Sequence, residues 1–215
     1  MQEQPSPTAL LQELEHSRLY SEELGIDLAG GRDGEIFKWF LASLLYGGRI
    51  TETIASRTWR AFARHGLLTP QRILAAGWDY LVYPVMREGG YVRYDGRKST
   101  QILRDCEKLL AEYGGSLNRL HRQAADPADL EARIQAFYGV GPVTCNIFLR
   151  ELRPVWARAD PEPLDVVVRR AAGLGIDLGR YERKSWTFCR VEAGLIRMRR
   201  GHRRRAVAQS GRRKG

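Results

Sequence analysis

The stretch ADLEARIQAFYGVGPVTCNIFLRELRPVWARADPEPLDVVVRR, residues 128–170, decides the fold. It reads as a helix opened by Asp126-Pro127, a tight turn at Gly139-Val140-Gly141, and a second helix started by Pro142. Glycine at both turn positions permits close backbone approach and unusual φ values. Proline at the first helical position leaves the following amides without intrahelical acceptors. Those amides, with the positive end of the helix dipole, make a ready anion site that a phosphate fits. Ordinary antiparallel packing of two helices also needs a glycine turn, and a GxG alone is weak evidence.

Outward from this segment the periodicity stays helical. Leucines 10, 11 and 14 stand among charges over 8–24. Ile36, Phe37, Phe40, Leu41, Leu44 and Leu45 make an apolar face over 35–46, which Gly47-Gly48 ends. Thr51 reads as the N-cap of a helix to about His65, with Gly66 as its stop. Thr69-Pro70 opens the next helix, and a shorter helical stretch covers 78–87. From Ser99 to Tyr113 one face carries Ile102, Cys106, Leu109, Leu110 and Tyr113, stopped by Gly114-Gly115. Segments 142–153, 164–174 and Ser185 to about Arg199 complete roughly ten helices. With no alternating strand and no solenoid repeat, the fold class is all-α. Residues 1–7 are expected to be loose, and the tail 201–215 disordered or ordered only on DNA.

Composition narrows the function classes. The 215 residues are 43% apolar and 28% charged, enough to bury a core and too apolar for wholesale disorder. No apolar run approaches the roughly 20 residues that span a bilayer. The opening MQEQPSPTAL lacks the basic-then-apolar order of a secretory signal. Cys106, Cys145 and Cys189 stand far apart, so a reducing cytoplasm is expected and a four-cysteine zinc or iron–sulfur site is excluded. His16, His65, His121 and His202 show no ligand spacing, so neither a metal nor a cofactor is expected. The net charge is +10: residues 1–35 are acidic, whereas 36–198 hold 25 basic against 17 acidic residues, and 199–215 add 8 basic ones. Such a distribution favours a polyanion, most simply nucleic acid, although a basic surface also serves solubility.

FYGVGPVTCNIFLREL resembles the hairpin of the endonuclease III-like, helix-hairpin-helix DNA glycosylase superfamily, L-P-G-V-G-x-x-T-A, with Gly139, Val140, Gly141 and Thr144 matching position for position. Leu164-Asp165-Val166-Val167-Val168-Arg169-Arg170 resembles that family's V-D-x-x-V-x-R-V block, which places Asp165 on its catalytic aspartate. GGYVRYDGRKSTQI is similar to its G-Y-Y-R-x-K-A-x-x-I helix start, so the resemblance covers about 36–176. It implies two helical lobes clamping double-stranded DNA. Residues 1–34 would join a C-terminal lobe of 139–200, beside a contiguous lobe of 35–138 and ahead of a basic tail, 201–215. It also implies a monomeric base-excision repair enzyme that hydrolyses the N-glycosidic bond of a damaged or mismatched base. Three departures qualify it. Val143 stands where bifunctional members carry a lysine, so no Schiff base or strand-nicking lyase step is expected. Only Cys189 follows Asp165, so the family's cluster is absent. Gly48-Arg49 stands where members often have a glutamine that contacts DNA opposite the target base.

The candidate catalytic residue is Asp165, whose carboxylate would stabilise an oxocarbenium-like sugar and orient water. The same residue, after Pro163-Leu164, also reads as an ordinary N-cap. Asp160 is a second, weaker candidate. DNA contact falls to Gly139, Val140, Gly141, Val143, Thr144 and Arg49. Tyr46 and Trp156 are candidates to stack on a flipped base, or equally core residues. Trp39, Phe40, Trp59 and Phe62 are expected in the core. Tyr91, Arg93, Tyr94, Arg97 and Lys98 suit contact with a DNA backbone or a solvated turn. The rival reading is a non-catalytic helix-hairpin-helix DNA-binding protein.

Overall fold

The computed structural model describes residues 7–198. Its helices are α1 (Pro7–Glu15), α2 (Tyr20–Glu23), α3 (Asp33–Tyr46), α4 (Glu52–Arg64), α5 (Pro70–Tyr80), α6 (Arg87–Gly89), α7 (Asp95–Tyr113), α8 (Leu117–Gln123), α9 (Pro127–Gln135), α10 (Pro142–Arg150), α11 (Asp165–Leu174) and α12 (Trp186–Arg197). A π-helical segment, Leu81–Met86, links α5 to α6, and Leu178–Arg180 forms one 3-10 turn. No strand occurs among the described residues, so the fold is all-α. No helix there is long and apolar enough to cross a membrane. The expectations for residues 1–6 and for the basic tail lie outside the described residues.

Short polar side chains set most helix starts. The hydroxyls of Thr51, Thr69, Ser116 and Ser185 accept from the amides of Ile54, Arg72, Arg119 and Phe188, and Asp126 accepts from Asp129. Each such cap is worth about 1 kcal/mol. Other boundaries depart from the sequence pattern. The 8–24 stretch breaks into α1 and α2, and buried Glu151 takes the amides of Tyr20 and Ser21, both at 3.0 Å, at the start of α2. The 78–87 stretch is kinked, with Gly77 at φ +77° and Tyr83 extended. Helix α10 ends at Arg150, and residues 151–158 form turns instead of a last helical turn.

The core centres on α3, which packs against α4, α8 and α10. Trp39, Phe40 and Phe62 are fully buried and Trp59 nearly so, as the pattern requires. Phe40 meets Phe137 and Phe148 edge-on at 5.0 and 5.2 Å, tying α3 to both sides of the Gly139 turn. A separate, smaller cluster gathers Leu14, Val167, Ala171, Val191 and Leu195 from α1, α11 and α12.

Candidate nucleic-acid interface

Helix α9, the turn at 136–141 and helix α10 follow one another in the chain, and α9 and α10 touch. Gly139 takes φ +70°, a conformation that other residues adopt only with strain. Gly141 does not: it is the N-cap of α10 at φ −97°, and a Cβ there would meet nothing within 4 Å. Pro142 follows at the first helical position. The first amide of α10 with an internal acceptor is that of Cys145, bonded to the Gly141 carbonyl at 3.0 Å. Among the described residues, the amides of Gly141, Val143 and Thr144 have none. Val143 is 54% exposed, whereas Val140 is buried and donates to Phe137.

The turn rests on a row of polar side chains from α7. Asp105 accepts from the Tyr138 amide at 2.7 Å. The Gln101 carboxamide sits against Gly139, where a Cβ would come within 3.2 Å. Lys98 donates to Gln101 at 2.6 Å and to the Leu44 carbonyl at 2.7 Å, joining the row to the end of α3. Burial drives two opposed shifts. It pushes the Asp105 carboxyl up to about 7, although the Tyr138 amide and Lys98 act the other way. It brings the Lys98 ammonium down to about 8. Oδ2 of Asp105, Nε2 of Gln101 and Oγ of Ser99 are buried with no hydrogen-bond partner among the described residues, an unusually polar bed for a turn.

Glycine also fixes the loop beside the turn. A Cβ on Gly47 would lie 2.0 Å from the Thr144 hydroxyl, and one on Gly48 would lie 2.8 Å from the Tyr91 hydroxyl. Gly47 therefore seats Thr144, and the exposed Arg49 follows within two residues. Arg49 forms no ion pair among the described residues. Gly139, Val140, Gly141, Val143, Thr144 and the Arg49 loop thus meet on one part of the molecule.

Asp165 reaches its place through a pinned strap, residues 159–164. The fully buried Arg153 pairs with Glu192, holds the Pro161 carbonyl and lies 3.3 Å from Asp160. Arg183 grips Asp160 at 2.8 Å and Glu162 at 3.1 Å. Asn146 of α10 donates to the Glu162 carbonyl at 2.7 Å, which couples the strap to the hairpin helix. Asp160 is therefore held in ion pairs. Asp165 is the first residue of α11, not its cap: Leu164 takes the cap position and no side chain caps this end. The Asp165 side chain is 92% exposed, 3.7 Å from Arg169.

Other candidates are placed elsewhere. Trp156 is 2% exposed, donates to Asn118 at 2.8 Å and stacks on His121 at 4.7 Å, so its ring offers no open face. Tyr46 is half-buried, hydrogen-bonded to Ser56 and edge-on to Tyr20 at 5.4 Å. The described residues include at least two clefts. One of 300 Å³ lies between Leu19, Ile26, Trp186 and the Glu22–Arg190 pair; another, open and 560 Å³, lies beside His65, Arg72 and Tyr80. Asp165 lines neither. No group of three or more His, Cys, Asp or Glu among the described residues is placed to hold a metal ion.

The pattern alone did not expose the Lys98–Gln101–Asp105 row or the Arg153 strap. The row had a signal: polar residues at spacings of three and four beside the apolar face of α7. Compared with family models, curated proteins and solved structures, the chain matches none.

Proposed function

We propose that this protein is a DNA base-excision repair glycosylase of the helix-hairpin-helix kind, acting on a damaged or mismatched base in double-stranded DNA. Residues 127–150 are the hairpin, whose free amides hold a backbone phosphate, with Arg49 as a second contact. The two lobes are the contiguous block 35–138 and the segment 1–34 joined to 139–200. Asp165, presented by the strap, stabilises the oxocarbenium-like sugar and orients the attacking water while the base leaves. Val143 supplies no amine, so the reaction stops at the abasic site. The protein works as a monomer in the compartment that holds the DNA.

The observation that carries this reading is Gly141. Neither φ nor crowding calls for glycine there, yet it stands beside three unpaired amides at the start of a helix. A bare Cα in that position lets an external anion approach the amides closely. The basic balance of residues 36–198 agrees with a phosphate as that anion.

The test is a panel of duplex oligonucleotides carrying uracil, 8-oxoguanine, alkylated purines and mismatches. Base release from one of them should fall by roughly 10²-fold or more in Asp165→Asn, the scale of a lost acid–base group. The thermal midpoint should stay put, because Asp165 caps nothing. Full activity in that variant would remove Asp165 from the mechanism. A second reading is favoured by one fact: the Asp165 carboxylate stands in water, its side chain 92% exposed. It makes the chain a non-catalytic hairpin DNA-binding protein. Tight duplex binding without abasic product across the whole panel selects it.

A further inference from the structure

Five of the exposed large apolar side chains fall within residues 78–94: Trp78, Tyr80, Tyr83, Val92 and Tyr94. Two of them occupy a place that the backbone has been shaped to provide. Gly77, at φ +77°, turns the chain just before Trp78. The indole N–H then donates to the Gly96 carbonyl and the Thr100 hydroxyl, both at 3.1 Å. Gly96 makes room for the ring, since a Cβ there would lie 3.0 Å from it. Tyr94, two residues before Gly96, has φ +65° and is the one non-glycine residue with positive φ among those described. For a bulky residue that conformation is strained, and its ring is 54% exposed. Strain that leaves an aromatic ring in water is not repaid by packing.

Arg93 lies over the Tyr94 ring at 5.1 Å. Arg93 and Arg97 are exposed and form no ion pair among the described residues. Of the nearby acids, Asp95 is engaged with the Gly96 amide, and Asp79 is exposed. We propose that Trp78 and Tyr94, flanked by Arg93 and Arg97, form a stacking surface for the unpaired bases of a single nucleic-acid strand. Aromatic rings take base faces that a duplex hides, while unpaired guanidiniums take phosphates. An apolar protein partner fits less well, because it would desolvate two arginines with no carboxylate to receive them. The surface is separate from the Gly141 amides and does not depend on the reading of the hairpin.

The probe is a twelve-residue thymidylate oligomer, titrated at low salt while tryptophan fluorescence is followed. Stacking on Trp78 should quench the emission. Tyr94→Gly, followed by this quenching, and Trp78→Ala, followed by the anisotropy of an end-labelled oligomer, should each weaken binding by roughly 5- to 100-fold, the range for losing one stacked base. Tyr94→Gly should also leave the thermal midpoint unchanged or raised, since glycine relieves the positive φ. A ring kept only for structure predicts the opposite pair: a lower midpoint and unaltered binding. Equal affinity for a base-free sugar–phosphate oligomer of the same length would show that charge alone binds, and would overturn the proposal. Gly141→Ala serves as the internal control: it should weaken duplex binding and spare the thymidylate oligomer.

Discussion

The Gly139 turn and Asp165 sit at opposite extremes of confinement. The turn is bedded on buried polar groups, Asp105, Gln101 and Lys98, with Phe137 locked beneath it. The Asp165 backbone is just as firmly placed, through Arg153, Arg183 and Asn146, but its side chain is left in water beside Arg169, 3.7 Å away. Buried ionic and polar groups here fix the course of the chain. The side chains that face outward are left to whatever binds.

The largest effect should come from the strap. Arg153→Met leaves Glu192 buried without its partner, at a cost of about 3–5 kcal/mol. Chemical denaturation would measure it, and the double variant Arg153→Met/Glu192→Met should recover most of the loss. If the single change proves nearly neutral, the strap is not what positions Asp165. Gly47→Ala comes next, because its methyl group would overlap Thr144. Overpacking of this kind costs about 1–3 kcal/mol, and Thr144→Ser should relieve little of it because the hydroxyl itself is the closest atom.

Asp105 offers a pH test. Its carboxyl is shifted from 3.8 up to about 7 in the folded chain, mainly by burial. The native state therefore holds this proton more tightly than the unfolded one, and the group's contribution to stability falls as pH rises from about 4 to 7. Lys98, lowered from 10.5 to about 8, has the reverse sign: the unfolded chain binds its proton more tightly, so stability rises between those pH values. Asp105→Asn should flatten the acid limb while keeping an oxygen for the Tyr138 amide. Thermal midpoints across pH 4–7 that change equally in both proteins would contradict the assignment. A small stability effect belongs to Gly141→Ala, about 0.5–1 kcal/mol, because the added methyl group meets nothing and only the N-cap preference for glycine over alanine is lost.

The fold was legible wherever a local rule sufficed. Thr51, Thr69-Pro70, Asp126-Pro127 and Ser185 mark helix starts because capping is a matter between neighbours in sequence. Helix α8 went unread, as its seven residues are too few to show a period. Helix α7 begins at Asp95, four residues before the expected Ser99, because Tyr94 takes an unusual cap conformation that composition does not announce. The candidate site was legible as a list of residues and illegible as an arrangement. That Gly47 meets Thr144, or that Glu151 caps the start of α2, depends on partners roughly 100 residues away or more.

The helix bearing Asp165 belongs to the smaller cluster, with Val167 and Ala171 against Leu14, Val191 and Leu195 and with half-buried Val166 and Leu174 at its edge. Local opening scales with how little is buried, so amide hydrogens of α11 should exchange with deuterium well before those of α3. A ligand that gathers this helix against the body would slow that exchange, and protection there would report engagement even where no bond is broken.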